Sequence, residues 1–140
     1  MRGVDHRRRT ALALLAGIFA IPHAAFAQDP RAALVQKAAR DWLALADDRD
    51  GTATWNSAGA RFREALPVDK WTAALRRQRE PRGATVQRAV VSTTFGSKFR
   101  GLPAGGNYAL VQFRTSYANE SIGGDDVTLE LGSDNVWRVI

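Results

Sequence analysis

Very few side chains of this chain could serve as nucleophiles, general bases or soft metal ligands. The 140-residue sequence contains no cysteine, and its two histidines, His6 and His23, lie near the amino terminus. Imidazole is the usual general base near neutral pH, and thiolate is both a nucleophile and a soft metal ligand. A serine or threonine nucleophile would therefore need a lysine or a carboxylate as its base. The nearest pair, Ser97-Lys98, lies in a glycine-rich segment that would not hold it rigidly, so the composition argues against hydrolase chemistry.

The densest acidic cluster consists of Asp47, Asp48 and Asp50. A calcium-binding loop would also need a glycine at its sixth position and a distal bidentate glutamate, and neither stands at the required spacing. Short acids followed by Gly51 are instead typical of the end of a helix. We therefore predict no metal site, and no pattern in the chain indicates a cofactor.

Acid–base chemistry is the enzymatic alternative that the residues leave open. A carboxylate held against aromatic rings can abstract a proton beside a carbonyl group, and Asp47, Tyr108 and Tyr117 are the candidate participants. Asp47, however, stands where a helix should end. Tyr108 and Tyr117 have an odd separation, which places them on opposite faces of a regular strand. We favour a non-catalytic protein, with such an enzyme as the alternative.

The first 27 residues have the three parts of a secretory signal peptide. Arginines from Arg2 to Arg9 precede an apolar run over 11–21 and the small-residue site Ala25-Phe26-Ala27. At about 11 residues, the run is much shorter than the roughly 20 that cross a bilayer as a helix. We expect cleavage before Gln28 and a bacterial periplasmic or secreted protein without a transmembrane anchor. The arginines leave both the general secretory and the twin-arginine route open.

Residues 28–140 have the size of one domain. The leader holds four of the 20 Lys and Arg residues and one of the 14 acids, so the remainder carries a net charge of +3. Arginines cluster between Arg61 and Arg82, but without interleaved aromatic residues they indicate a solvated helix face and not a nucleic-acid surface. A small exported domain without disulfides depends on packing, and its large core candidates are Trp42, Trp55, Trp71 and Trp137.

Apolar spacing predicts helices in the first half of this domain. The first should run from Asp29-Pro30 to about Asp47 and bury one face, which comprises Leu34, Val35, Ala38, Ala39, Trp42, Leu45 and Ala46. A short helix over 52–58 carries Trp55, and Phe62 then precedes a break at Pro67. A third helix should begin at Asp69 and end at Arg79, with Arg79 towards solvent.

From Ala84 onward the apolar period changes to two, which predicts strands. Thr85, Gln87, Ala89, Val91, Thr93 and Phe95 should share one face of the first strand. The second strand spans 107–118 and has Ala109, Val111, Phe113, Thr115 and Tyr117 as its core face. Further strands are expected over 126–131 and 136–140, with Gly123-Gly124 in an exposed turn. Helices followed by antiparallel strands indicate an α+β domain.

Ordered patterns along the chain carry a family resemblance: Trp42-Leu43-x-Leu45-x-Asp47, Gly51-x-x-x-Trp55, Phe62, Trp71-x-x-x-Leu75-x-x-x-Arg79-x-Pro81-x-Gly83, Gln112-Phe113-x-Thr115, Val127-Thr128-Leu129 and Trp137-Arg138-Val139. The chain resembles the DUF4019 family of small exported bacterial proteins, a domain of unknown function, so the resemblance implies a fold and no activity. Family members usually continue beyond the last strand into a glycine-tyrosine segment, whereas this sequence ends at Ile140, so we expect a short or altered final strand. The order of elements is also similar to the cone-shaped nuclear-transport-factor-like and ketosteroid-isomerase-like folds, with helices on a curved antiparallel sheet of about four strands.

The candidate ligand-binding residues are Trp55, Arg79, Tyr108, Phe113 and Tyr117. Arg79 ends a helix, where its guanidinium could cap carbonyl groups, pair with an acid such as Asp47 or receive an anionic ligand. An open hollow lined by Trp55, Phe113 and Tyr117 would favour a small-molecule site, whereas a filled hollow with an exposed apolar strip would favour a protein partner or self-association. We predict a non-catalytic binding or interaction module, with a small-molecule-binding or isomerase-like enzyme of the cone-shaped fold as the alternative.

Overall fold

A computed structural model describes residues 29–140, so the predicted signal peptide lies outside the described residues. The helices come first: α1 (Arg31–Asp47), α2 (Gly51–Ser57), α3 (Ala60–Ala65) and α4 (Val68–Arg79). After a single 3-10 turn at Glu80–Arg82, the strands follow: β1 (Thr85–Gly96), β2 (Tyr108–Tyr117), β3 (Glu120–Leu131) and β4 (Trp137–Val139). The predicted α+β class is confirmed. Among residues 29–140, no helix combines the length and the hydropathy that spanning a bilayer requires.

The strands form one antiparallel sheet in the order β1-β2-β3-β4. β4 is short and pairs only with the end of β3, from Leu129 to Leu131. The earlier part of β3, from Glu120 to Val127, therefore has β2 on one side and no strand on the other within residues 29–140. This unpaired stretch is called the free edge of β3 below.

The core lies between α1 and one face of the sheet. The predicted core face of β2 is buried: Ala109, Val111, Phe113, Thr115 and Tyr117. From α1, Val35, Ala39 and Leu43 face this sheet at four-residue steps and are fully buried. The prediction that Leu34 is buried is wrong, because Leu34 lies about 100° around the helix from Val35 and is 64% exposed.

Two bulges in β1, at Val86 and Val91, change the face of the residues that follow them. The pairing with β2 shifts at both positions, and the two valines are 70% and 61% exposed. Each bulge inserts one extra residue and so reverses the alternation of the strand. The predicted single face of β1 is therefore wrong: Arg88, Val90 and Phe95 share the inner face.

β3 begins earlier than predicted, at Glu120 and not at Asp126. Gly123 and Gly124 lie within the strand, so the predicted turn at these glycines is wrong and the chain reverses before Glu120. A Cβ atom at Gly123 would lie 3.3 Å from the ring of Tyr117, which is tighter than ordinary van der Waals contact. Glycine thus allows the Tyr117 ring to lie against the backbone of β3.

An aromatic cluster joins the helices to one another. The ring centroids of Trp42, Phe62 and Trp71 lie 5.0 to 6.2 Å apart. Thr54 of α2 is fully buried beside them. Its carbonyl oxygen accepts a hydrogen bond from the Trp42 indole at 3.0 Å, and its Oγ1 accepts one from the Trp71 indole at 2.7 Å. One small residue therefore fixes two indole rings from different helices.

The substitution Thr54→Val removes the hydroxyl and leaves the Trp71 indole N–H without its acceptor. We expect the free energy of unfolding to fall by about 1–3 kcal/mol, because a part-buried donor loses its partner. Urea denaturation followed by tryptophan fluorescence measures this change. Thr52→Val on the same helix is the control, since Thr52 is exposed and its substitution should change stability by less than about 0.5 kcal/mol. Equal effects of the two substitutions would contradict this role of Thr54.

Candidate functional site

Two aspartates and two arginines from four different elements meet beneath the inner face of the sheet. Asp47 ends α1, Arg79 ends α4, Arg88 lies on β1 and Asp125 lies on β3. Their side chains are 22%, 6%, 10% and 8% exposed, in that order. Charged side chains are almost never buried to this extent unless they are paired. These four residues are called the buried charge network below.

Arg88 connects the two carboxylates of the network. It donates from both terminal nitrogens to Asp47, at 2.7 and 3.0 Å. Its Nε and Nη2 also donate to Oδ2 of Asp125, at 3.1 and 3.0 Å. Arg79 lies 3.2 Å from Oδ1 of Asp125 and 3.4 Å from Oδ1 of Asp47. Each carboxylate therefore contacts both guanidinium groups, and the four formal charges cancel.

Two hydroxyl groups from β2 complete the surroundings of Asp125. The hydroxyl of Thr115 donates to Oδ2 at 2.7 Å, and that of Tyr117 donates to Oδ1 at 2.9 Å. The Tyr117 oxygen also accepts a hydrogen bond from Nη1 of Arg79 at 2.6 Å. Thr115 and Tyr117 reach the same carboxylate because residues two apart on a strand share a face.

Neighbouring charges and hydroxyl groups set the pKa of Asp125. Burial by itself would raise the pKa of this carboxyl group. The Thr115 hydrogen bond, the Arg79 charge, the Tyr117 hydrogen bond and the Arg88 charge outweigh burial, and together they hold the pKa of Asp125 below its ordinary 3.8. Burial would likewise lower the pKa of Arg88, but its bonds to Asp47 and Asp125 raise it. A carboxylate with a lowered pKa is a weak general base.

A groove opens beside the network, between the free edge of β3 and the helices α1 and α4. It has a volume of about 500 Å³, and its walls are Trp42, Leu43, Trp71, Gln78, Arg79 and residues 124–127. This set of residues is called the β3 groove below. Arg79 contributes to the wall, and its Nε is buried without a hydrogen-bond partner among residues 29–140. Such an orphaned donor costs free energy until an acceptor reaches it.

The other large hollow offers less for recognition. It has a volume of about 400 Å³ and lies between α3 and the turn that joins β3 to β4. Both arginines that line it are already paired, as Arg61–Glu130 and Arg138–Asp134, and all four side chains are partly exposed. Exposed pairs of this kind contribute little free energy, and the remaining charged side chain in the wall is the exposed Glu64.

The structure brings together only some of the candidate ligand-binding residues. Arg79 and Tyr117 are in contact, and Phe113 lies on the same inner face, two positions from Thr115. Trp55 lies elsewhere, with its indole N–H bonded to the carbonyl oxygen of Leu66. Tyr108 lies on the opposite face of the sheet, and its hydroxyl donates to the carbonyl oxygen of Pro103. These five residues therefore do not form one site.

One sequence-based expectation about this region is corrected. Arg79 does not face solvent, because the acids at the ends of α1 and on β3 attract its guanidinium inward. The predicted pairing of Arg79 with Asp47 is nevertheless present. Of the two arrangements that the sequence left open, residues 29–140 do not show the open hollow lined by Trp55, Phe113 and Tyr117: Phe113 and Tyr117 are each only 3% exposed, and Trp55 lies elsewhere.

Sequence reasoning missed Arg88, Thr115 and Asp125 as site residues. Asp125 had a detectable signal, since it stands two and four residues before Val127 and Leu129 and so shares their inward face. Arg88 had no such signal, because the bulges of β1 decide its face. Within residues 29–140, no group of three or more His, Cys, Asp and Glu side chains is placed to hold a metal ion.

The fold is of the NTF2-like α+β class. A solved structure from Campylobacter jejuni, described as an NTF2-like transpeptidase, is similar to this chain with a TM-score of 0.54 and 12% sequence identity. The similarity covers 74% of this chain and 94% of that one, and at this identity it shows the fold alone. The search of curated proteins found no match.

The family is shown by the sequence. The model of the family described as "Protein of unknown function (DUF4019)" matches residues 38–140, which include every member of the buried charge network. The chain belongs to the DUF4019 family.

Substitution of Asp125 tests the buried charge network. Asp125→Asn leaves two guanidiniums facing one carboxylate, so we expect the free energy of unfolding at pH 7 to fall by about 3–5 kcal/mol. Because the folded pKa of Asp125 is lowered, its contribution is present above the unfolded pKa and is lost as pH falls through the folded value. The wild type should therefore lose more stability than Asp125→Asn when the pH falls below about 4.

Urea unfolding curves at pH 7 and at acidic pH provide the comparison. Asp126→Asn is the matched control, since Asp126 is the exposed neighbour on the same strand and should change stability by about 0.5 kcal/mol or less. Equal behaviour of the two variants at both pH values would show that Asp125 is not held by balanced charges.

Proposed function

We propose that this protein is an exported, non-catalytic binding module whose ligand occupies the β3 groove. The observation that carries the proposal is a groove whose wall includes Arg79 next to the free edge of β3. Trp42 and Trp71 add aromatic surface beside it, and a few polar groups in an apolar wall are typical of a ligand site. The groove volume of about 500 Å³ also lies within the usual range for such sites.

The electrostatics of the site favour binding over acid–base catalysis. An isomerase-like enzyme would need a carboxylate in the hollow with a raised pKa. Asp125 is buried, but its pKa is lowered. Asp69 and Asp126 are exposed to solvent, and Asp47 is engaged by Arg88 and Arg79. The acids in this region therefore support the fold and do not supply a base.

The description of the Campylobacter jejuni neighbour as a transpeptidase is not extended to this chain. Acyl transfer ordinarily uses an activated nucleophile with a base beside it. Residues 29–140 contain neither cysteine nor histidine. Thr115, the hydroxyl group most closely held in the network, donates its proton to Asp125 at 2.7 Å and is fully buried. A shared fold does not by itself carry function.

A blocking substitution tests ligand binding in the β3 groove. Gln78 is an exposed groove residue on α4, so Gln78→Trp should fill the groove without disturbing the core. The probes are two sets of compounds, short capped peptides and neutral monosaccharides, and the readout is NMR of the Trp42 and Trp71 indole N–H signals. We expect one probe set to shift these signals in the wild type and in Arg77→Trp, and to have no effect in Gln78→Trp.

Arg77→Trp is the control because Arg77 is an exposed neighbour on α4 that does not line the groove. Shifts that persist in Gln78→Trp would place binding elsewhere. If neither probe set shifts the indole signals of the wild type, the proposed function is wrong.

The export part of the proposal predicts a processed amino terminus. Mass measurement of the protein from a periplasmic fraction should give a chain that begins at Gln28, because Ala25 and Ala27 supply the small residues that signal peptidase requires. Ala27→Arg should block this cleavage, while Ala33→Arg, an exposed position on α1, should leave it unchanged. Recovery of a chain that still begins at Met1 would contradict export with cleavage.

A further inference from the structure

The free edge of β3 presents unpaired backbone groups beside the β3 groove, which Gly124 and Asp126 line. The amide N–H of Ile140 donates to the carbonyl oxygen of Thr128 at 3.0 Å, which shows that the backbone groups of Thr128 point away from β2. Because these directions repeat every second residue along a strand, the groups of Asp126 and Gly124 point the same way. β4 does not extend this far, and no other backbone segment of residues 29–140 pairs with them.

The free edge is regular, whereas the outer edge of β1 is not. The pairing of β2 with β3 is uninterrupted from Glu130 to Gly123, so the N–H and C=O groups of Gly124 and Asp126 have ladder spacing. β1 carries bulges at Val86 and Val91. Bulges of this kind protect an edge strand against pairing. Of these two edges, only that of β3 is therefore suited to accept another strand.

We propose that the β3 groove takes up an extended polypeptide segment of a partner protein, which adds to the sheet as an antiparallel strand in line with β4. This inference rests on the proposed function, since it names the ligand of the same groove. Two residues of the incoming strand face Asp126 and Gly124 and exchange backbone hydrogen bonds with them. A monosaccharide or a single aromatic ring cannot supply donors and acceptors in this two-residue repeat.

The side chains of the incoming strand meet two different environments. One inward side chain lies opposite Val127, where Leu43 and Trp42 also line the groove, and an apolar residue fits there. The next inward side chain lies opposite Asp125, beside Arg79, which also lines the groove. That position suits a side chain that can form hydrogen bonds.

The second side chain should be neutral, because the charges of the buried charge network are already balanced. The carboxylates of Asp47 and Asp125 already match the guanidiniums of Arg79 and Arg88. An additional buried charge would have no counterion, and burial of an unpaired charge is strongly unfavourable. The partner segment is therefore an uncharged stretch with an apolar residue and, two positions away, an amide or hydroxyl side chain.

The test uses a defined probe, the capped heptapeptide Thr-Val-Thr-Asn-Thr-Val-Thr, in NMR titrations of the protein. Asp126→Pro removes the outward N–H while leaving the bonds to β2 intact, since proline is tolerated where a strand N–H faces outward. Asp126→Ala is the matched control because it keeps that N–H. We expect Asp126→Pro to weaken peptide binding about tenfold, the effect of one lost hydrogen bond, and Asp126→Ala to bind as the wild type does. Thermal unfolding of both variants checks that they are folded.

Two further comparisons examine the backbone and the side-chain requirements separately. A peptide that is N-methylated at its central threonines lacks the donors for strand addition and should not bind. Replacement of the central asparagine by aspartate or by leucine should weaken binding, because the first adds an uncompensated charge and the second offers no hydrogen bond to the polar groups around Arg79. In the wild type, hydrogen exchange of the Gly124 and Asp126 amides should slow when the parent peptide binds.

The outcomes separate this inference from the proposed function. If the heptapeptide binds equally to Asp126→Pro, or if only monosaccharides bind, the groove is a binding site but strand addition is wrong. If the wild type forms a dimer that Asp126→Pro dissociates in sedimentation experiments, the occupant is a second copy and the assignment to a partner protein is wrong. If no probe binds in the groove, both proposals are wrong.

Discussion

The structure depends on the burial of two carboxylates together with two guanidiniums in one small space. Each ion loses its hydration there, and the loss is offset only because Asp47, Arg79, Arg88 and Asp125 are all present and all in contact. The four residues come from two helix ends and two strands. The charges therefore balance only when α1 and α4 sit correctly on the sheet, so the network selects one arrangement of the layers.

Elements with local, regular signals could be predicted from the sequence, and those that depend on pairing could not. The bounds of α1 and the inner face of β2 agree with prediction, because in each element the apolar residues recur at one uninterrupted spacing. The early start of β3 and the bulges of β1 depend on how neighbouring strands align, and nothing in the local pattern marks a bulge. The fold class could therefore be predicted from the sequence, while the face of the sheet on which Arg88 lies could not.

Arg79 illustrates why the site itself was only partly predictable. An arginine near two others at the end of a helix has the pattern of a solvated face. Its inward position results from Asp125, which is far along the chain and could be recognised as an inward residue only if β3 had been extended to include it. The option of pairing with Asp47 was available because both residues stand at predicted helix ends. The position of Arg79 is therefore set by ion pairs with residues distant in the sequence, which amphipathic spacing does not reveal.

The same charge balance limits what the site can do chemically. A general base needs a carboxylate that accepts a proton readily. The ionised form of Asp125 is instead the stabilised one, because Thr115, Tyr117 and both arginines bind its charged form. The unsatisfied groups nearby are instead a guanidinium N–H and the outward backbone of Gly124 and Asp126. A groove that has this outward backbone and two indole rings in its walls is suited to binding a neutral, hydrogen-bonding ligand.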